Sequence, residues 1–368
     1  MSLFRIFFST LFLLFFFPSC QGQKAEQGRE SVGGDTVRLL FTGDIMFHLP
    51  QVEAARIRGN RFDFDAPFDA LKPLLQEADL VIGNLETTLH PSLFRGYPCF
   101  STPDTVAYTL KRVGFDVLTT ANNHVADRRE DGIKRTLAQL NKVGMLTTGS
   151  FLNREDRAQR APLLVHCKGI DIAFLAYTYG TNGISVRPPF EVALLDSVQI
   201  RKEIAAARHK GAEVVIVLPH WGQEYQRVPN REQRLWAERF RRWGADAVVG
   251  SHPHVTQPLV VDTLHNLDRS LSLFPVFYSL GNLISNQYQP YTQYGALAHI
   301  VLVKDAAGVR LVHCAQEDTF CFRKAKRANR YLVIPLSCEK QWLKDLNPTE
   351  RYRLPLLPIL LKIIEYRE

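Results

Sequence analysis

The chain has 368 residues, 46% of them hydrophobic and 22% charged, with a formal net charge of +8. That balance supplies a full apolar core, which excludes a largely disordered chain and allows two or three average domains, or one large α/β domain with additions. The basic excess gathers around Arg239, Arg241 and Arg242 and in Arg323-Lys324-Ala325-Lys326-Arg327; each cluster reads as a solvated face or as contact for an anionic polymer or membrane surface. The aromatic interleaving of a nucleic-acid platform is absent, so no nucleic-acid partner is expected.

In chain order, residues 1–20 carry Arg5 as their only charge, before an unbroken apolar run at 11–17 and then Pro18-Ser19-Cys20. A short apolar segment behind a basic residue reads as an export signal, too short to span a membrane. Ser19 before Cys20 resembles a bacterial lipobox, making Cys20 the expected lipidation site; ordinary signal cleavage or a retained anchor are the alternatives. Residues 21–36 are polar and glycine-containing, as suits a flexible tether. The expected product is an exported, membrane-anchored lipoprotein facing the periplasm or cell surface. Cys99, Cys167, Cys314, Cys321 and Cys338 show no Cys-x-x-Cys spacing, which argues against a zinc knuckle and allows at most two disulfides.

Strands are expected at 37–42, 79–86, 115–120, 145–148, 170–177, 213–218 and 245–249. Helices are expected at 64–78, 102–113, 128–143, 197–210 and 229–243. This alternation implies a mostly parallel sheet with right-handed crossovers. Later runs at 275–280, 295–303 and 309–314 read as antiparallel strands of a second sheet. Residues 331–368 look appended, with a helical tail at 356–364.

In open α/β sheets ligand groups gather beyond the carboxyl ends of strands. Those ends here carry Asp44, then Asn84 and Glu86, Asn123 and His124, His220, and finally His252 and His254. Pro253 is expected to hold the backbone between the last two extended, so that both imidazoles reach one spot. Each group has a plain reading when taken singly. Asp44 is a turn former, Asn123 a turn cap, His220 a hydrogen-bonded core histidine, and Glu224 and Asn282 loop supports. Together, carboxylate, amide and imidazole donors suit manganese, iron or zinc, and a carboxylate shared by two ions makes a two-metal clamp. The histidines at 90, 166, 209, 265, 299 and 313 lack such context and read as surface or core residues. Asn182, in the Tyr177–Gly183 loop, reads as a rim residue. There is no Gly-x-Ser-x-Gly elbow and no Walker loop.

Phe41-Thr-Gly-Asp44-Ile-Met46, Asn84-Leu-Glu86, Ala121-Asn-Asn-His124 with Asp127, His220-Trp-Gly with Glu224, Gly250-Ser-His-Pro-His254 and Tyr278-Ser-Leu-Gly-Asn282 together resemble the CapA family. That family is associated with poly-γ-glutamate capsule synthesis and related to the calcineurin-like metallophosphoesterases. The resemblance runs from about residue 37 to 303. It implies an α/β fold, a four-layer α-β-β-α sandwich of the metallophosphoesterase type with mixed sheets. It further implies two divalent ions. Asp44 and His254 would serve the first and Asn123, His220 and His252 the second, with Glu86 bridging where an aspartate is usual. His124 would protonate the leaving group, oriented by Asp127. The wider superfamily has Asp-x-His in its first motif; this chain has Asp44-Ile45-Met46, so His48 or Asn84 would have to replace the lost imidazole.

The domain expectation is a signal at 1–20, a tether at 21–36, the family domain at 37–320 and an extension at 321–368. The functional expectation is a membrane-anchored hydrolase of phosphoesters, or less readily of γ-glutamyl amides, working with capsule-synthesis membrane proteins on an anionic polymer. A non-catalytic accessory subunit for assembly or export of that polymer is the alternative. A metal-free polymer-binding lipoprotein is the third.

Overall fold

The computed structural model describes residues 35–265, 271–323 and 331–338. The signal segment with Cys20, residues 21–34 of the tether, basic residues 324–327 and the expected tail helix lie outside the described residues. Among those described, no helix is long and apolar enough to cross a membrane, and Cys99, Cys167, Cys314 and Cys321 are free thiols.

Among the described residues two large mixed sheets form, of eight and six strands, beside three two-stranded pairs. The first runs Tyr331–Pro335, Gly308–Arg323, Tyr294–Asp305, Asp35–Ile45, Leu80–Leu85, Val117–Thr119, Leu146–Thr148, with Asn282–Ile284 paired in parallel beside Asp35–Ile45. The second runs Leu163–Cys167, Ile170–Thr178, Val214–His220, Ala247–Val249, Leu271–Phe277, Leu259–His265. Its inner strands are parallel and both its edges antiparallel.

Strand alternation decides which layer each side chain joins. Val37, Leu39 and Phe41 point into a core shared with Ile172, Phe174 and Ile216 of the second sheet. Leu40 and Ile45 face the other way, against Val106, Leu110 and Leu140 of the helices Thr105–Val113 and Arg129–Lys142. On the far side, Leu175, Tyr177, Val215 and Val217 pack with Ile200 and Ile204 of helix Ser197–His209 and with Trp236 and Phe240 of helix Arg231–Trp243. The layers are therefore helix, sheet, sheet, helix, the sandwich that the family resemblance implied.

Several expectations need correction. The strands expected up to residue 250 do not make one sheet: Asp35–Ile45, Leu80–Leu85, Val117–Thr119 and Leu146–Thr148 join the first, and Ile170–Thr178, Val214–His220 and Ala247–Val249 the second. Nor do the late strands form a sheet of their own. Leu271–Phe277 is a parallel strand of the second sheet, while Tyr294–Asp305 and Gly308–Arg323 extend the first antiparallel. The apolar pattern gives the faces that are buried but not the partner sheet. The expected helix at 64–78 splits into a 3-10 turn, Ala66–Phe68, and Lys72–Glu77, because Pro67 and Pro73 are each tolerated only in a first helical turn. The short helices Leu49–Ala55 and Arg154–Arg160 and the edge strands Leu163–Cys167 and Leu259–His265 had no strong periodic signal. The first sheet also continues past residue 320, through Arg323 and the edge strand Tyr331–Pro335.

Local chemistry sets up the segment leading to the last two histidines. Asn230 caps helix Arg231–Trp243 by accepting from the Gln233 backbone, with the Gln233 side chain returning the bond. Gly244 ends it at φ 98°, a conformation only glycine takes cheaply, and the chain turns into Ala247–Val249.

Candidate metal centre

The two sheets bring their strand ends together through close backbone approaches. A Cβ on Gly43 would stand 2.1 Å from the carbonyl oxygen of Gly281, and one on Gly250 would stand 2.3 Å from that of Tyr278. These glycines let Asp44 and the His252–His254 loop crowd the same place. The register of Asp35–Ile45 shifts between Phe41 and Asp44, after which Asp44 lies opposite both Asn84 and Asn282.

The histidine loop is not extended, as the proline between them suggested. His252 has φ 99° and His254 φ 58°. A non-glycine residue in that region costs on the order of 1–3 kcal/mol, and such strain concentrates at functional sites. It turns both rings inward, with centroids 5.8 Å apart, and lets the His252 backbone N–H donate to Asp44 Oδ2 at 3.3 Å.

The buried amides are oriented by backbone groups, and one of them in turn sets the tautomer of His254. Asn122 donates to the Leu85 carbonyl at 2.8 Å and accepts from the His124 N–H at 3.2 Å. Its remaining N–H, together with the Thr119 hydroxyl, donates to Asn84 Oδ1. Asn84 must then present its nitrogen to Asp44 at 2.8 Å and Glu86 at 3.3 Å, so it brackets the carboxylates and offers no lone pair to a cation. Asn282 donates to the carbonyls of His254 and Thr292 and to Gln287 Oε1. Its oxygen is left for His254 Nδ1 at 3.1 Å, where Asp44 Oδ2 also lies at 3.1 Å. Two acceptors on Nδ1 put the proton there and leave Nε2 with its lone pair toward Glu86 Oε1, 3.7 Å away. His220 meets the Ser251 hydroxyl at 2.9 Å and the Asn84 amide nitrogen at 3.4 Å with Nδ1, while Nε2 lies beside Asn123 Oδ1 at 2.8 Å and Glu86 Oε1 at 3.5 Å.

Two groups of donors result, both including Glu86. Donor atoms of Glu86, His252 and His254 lie within 4.8 Å of one another, and so do those of Asp44, Glu86 and His220. All five side chains are buried. This grouping places His252 with His254, and His220 with Asp44. Glu86 Oε1 and His252 Nδ1 are buried without a hydrogen-bond partner among the described residues. Burial, reinforced by the charge of Asp44, pushes the Glu86 carboxyl well above the usual carboxylate range. Burial also pushes His220 and His252 well below theirs, which keeps both imidazoles neutral and able to coordinate. An uncompensated carboxylate, an orphaned oxygen and neutral imidazoles are a donor set that a divalent cation would complete.

Beside this centre stands His124, whose Nδ1 meets Asp127 Oδ2 at 2.8 Å. That same oxygen accepts from the Phe100 N–H at 2.5 Å, and the Phe100 ring lies edge-on to His124 at 4.7 Å. The pair is clamped, with His124 Nε2 left for other work. His48 stands outside both donor groups. Its Nδ1 accepts from the Asn286 N–H at 3.3 Å, and burial holds its pKa down to about 4. Glu224 also stands outside, half-buried and close enough for its charge to bear on Glu86 and Tyr225. Asn182 does reach the rim, accepting from Asn123 at 3.2 Å.

The outlying histidines are accounted for elsewhere where their contacts are seen: His90 caps a turn, His166 meets Asp171, and His299 meets Glu317. Sequence reasoning passed over Ser251, Asn122 and Tyr179. The Tyr179 ring lies 4.6 Å from that of His252, and burial pushes its pKa up to about 12. Ser251 and Asn122 sit inside the recognised motifs and Tyr179 inside the Tyr177–Gly183 loop, which was the available signal.

Residues 38–287 match a family described as bacterial capsule synthesis protein PGA_cap. The chain is 28% identical over 305 residues to the PGA biosynthesis protein CapA of Bacillus subtilis (strain 168), covering 81% of this chain and 76% of that protein. It is 28% identical over 279 residues to the capsule biosynthesis protein CapA of Bacillus anthracis, covering 72% and 63%. Among solved structures it is similar to the NAD nucleotidase NadN of Haemophilus influenzae, at TM-score 0.47 and 12% identity over 85% of this chain and 63% of that one. It is also similar to the calcineurin-like phosphoesterase YfkN of Bacillus subtilis, at TM-score 0.43 and 14% identity over 77% and 90%.

Proposed function

The chain belongs to the bacterial capsule synthesis protein family, and from that premise we propose that it is a metal-dependent hydrolase of phosphoesters in the making of an anionic surface polymer. The observation that carries this reading is Glu86, a fully buried carboxylate common to two donor groups, with one oxygen unpartnered. We further propose that the protein is exported, held at the membrane through Cys20, and works beside capsule-synthesis membrane proteins.

Asp44, Glu86, Asn123, His220, His252 and His254 would hold the cations. A divalent ion there supplies Lewis acidity and water of lowered pKa. The rest is the work of the chain. Asp127, fixed by the Phe100 N–H, keeps the proton of His124 on Nδ1 and aims Nε2 outward. When the ring is protonated, Nε2–H delivers its proton to the departing oxygen, a contribution of roughly 10²–10⁴-fold for a well-placed general acid. Asn84 steadies both carboxylates, Asn282 fixes the tautomer of His254, and Ser251 orients the ring of His220. Tyr179 walls the His220–His252 side against water. A γ-glutamyl amide makes the same demand on His124, since a departing amine also needs a proton.

A second reading, a non-catalytic accessory subunit, is favoured by Met46, a buried thioether where the wider superfamily places an imidazole. Elemental analysis of the purified protein, with a phosphodiester and γ-glutamyl-peptide panel, separates the two. Bound metal with turnover, both lost in His252→Ala, supports hydrolysis; bound metal without turnover supports the accessory role. Full activity in His252→Ala would end the hydrolytic reading.

A further inference from the structure

Most described arginines near a carboxylate are neutralised within the chain, as Arg112 is by Asp65, Arg135 by Asp104 and Arg157 by Glu203. Arg227 and Arg323 are placed otherwise. Among the described residues neither has a carboxylate in ion-pair contact; each lies over a tyrosine of the same loop, residues 285–293. The guanidinium carbon of Arg227 is 4.4 Å from the ring centre of Tyr291, and that of Arg323 is 4.5 Å from the ring centre of Tyr288. A third such arginine, Arg239 over Trp236, lies on helix Arg231–Trp243 and shares nothing with this loop.

The loop is braced to the metal centre by its own polar groups. Gln287 accepts from Asn282, the residue that fixes His254, at 2.8 Å, and reaches the Tyr225 hydroxyl at 3.4 Å. The Tyr225 ring lies 6.2 Å from the ring of His254. Asn286 donates its backbone N–H to His48 at 3.3 Å and accepts from the Tyr331 hydroxyl at 2.6 Å. With these groups turned inward, Tyr288 and Tyr291 are left 78% and 46% exposed.

An aromatic face fixes a guanidinium without consuming its charge or its in-plane donors. Arg323 donates to the Gln287 carbonyl, yet its Nε is buried without a partner among the described residues. Two cations stacked on one braced loop beside the centre, with no carboxylate in ion-pair contact among the described residues, make a receptor for negative charge.

We propose that Arg227 and Arg323, stacked on Tyr291 and Tyr288, form a subsite for a second anionic group of the substrate, a carboxylate or phosphate remote from the bond that is cut. The preferred substrates are then multiply charged chains rather than simple monoesters. This rests on the metal centre being the reacting site, so binding is measured on the metal-stripped full chain, where an inert centre leaves the result intact. The probes are a fluorescein-labelled penta-glutamate and, in a second arm, inorganic tripolyphosphate. Wild type binds at least one of them, and the arm that binds tells carboxylate from phosphate. Arg227→Ala weakens that binding about tenfold, as loss of one charge-assisted contact does, and makes it less sensitive to salt. Arg323→Lys keeps the charge but loses the planar fork, and guards against a variant that merely unseats the loop. Arg227→Ala is expected to keep the wild-type melting temperature and metal content. The proposal is overturned if neither probe binds, or if both variants bind as wild type does.

Discussion

Two glutamates are buried in this molecule in opposite ways. Glu203, on helix Ser197–His209, accepts from the Tyr177 hydroxyl at 2.7 Å, the Gln199 amide at 2.8 Å and the Arg157 guanidinium at 3.0 Å. Glu86, at the strand ends, meets the Asn84 amide at 3.3 Å on one oxygen and has no hydrogen-bond partner on the other. Burying a carboxylate costs several kcal/mol unless a cation and donors compensate it. Under the second sheet the chain provides that cation itself. At the strand ends it provides neutral imidazoles and a second carboxylate. One network is closed within the chain; the other is built to be completed from outside.

The largest effect expected from this contrast is that of Glu86→Gln, which removes the carboxylate common to both donor groups. Bound metal per chain should fall to background by elemental analysis, and phosphodiester turnover with it. A Glu86→Gln protein that still carries stoichiometric metal would erase the distinction between the two glutamates. His124→Ala comes next, with kcat lowered roughly 10²–10⁴-fold and metal content unchanged. Loss of metal in that variant would move His124 into the ligand set.

On the closed side, Glu203→Gln sets an amide N–H against donors and leaves Arg157 short of a partner. It should lower the unfolding free energy by about 3 kcal/mol, with metal content unaltered. Chelation sharpens the same contrast. It should lower the melting temperature of wild type and of Glu203→Gln, by about 4 kcal/mol of stability at free metal a thousandfold above Kd, and leave Glu86→Gln unmoved.

The smallest effect belongs to the surface pair Glu130–Arg187. Arg187 pulls the Glu130 carboxyl down to about 2, so its contribution is present above the ordinary carboxylate range and disappears as pH falls through about 2. Glu130→Gln should shift the melting temperature slightly at neutral pH and not at all below pH 2, a difference that melting curves across pH would display.

Much of the candidate centre was legible because its donors sit where strands stop. Apolar runs ending in Gly43-Asp44, Asn84-Leu-Glu86 and Gly250-Ser-His-Pro-His254 marked both the element and the chemistry. The path of the His252–His254 loop was misjudged: Pro253 biases its predecessor His252 toward extended backbone, yet both histidines take positive φ in a loop where the His252 N–H and the His254 ring meet Asp44 Oδ2. Arg323 was legible only as part of the basic run 323–327, a solvated face or an anionic contact, and Arg227 carried no signal, because nothing local distinguishes an arginine that stacks on a distant tyrosine from one that meets solvent.

The sequence by itself determined the donor types, the burial period of each strand, the capped helix before residue 244 and the glycines that let backbones meet. The tertiary structure alone decided which sheet each strand joined, since alternation shows that a face is buried but not what covers it. It alone also decided the orientations of the His220 and His254 rings. Those follow from contacts such as that between Asp44 and His254, 210 residues apart, which no local pattern can encode.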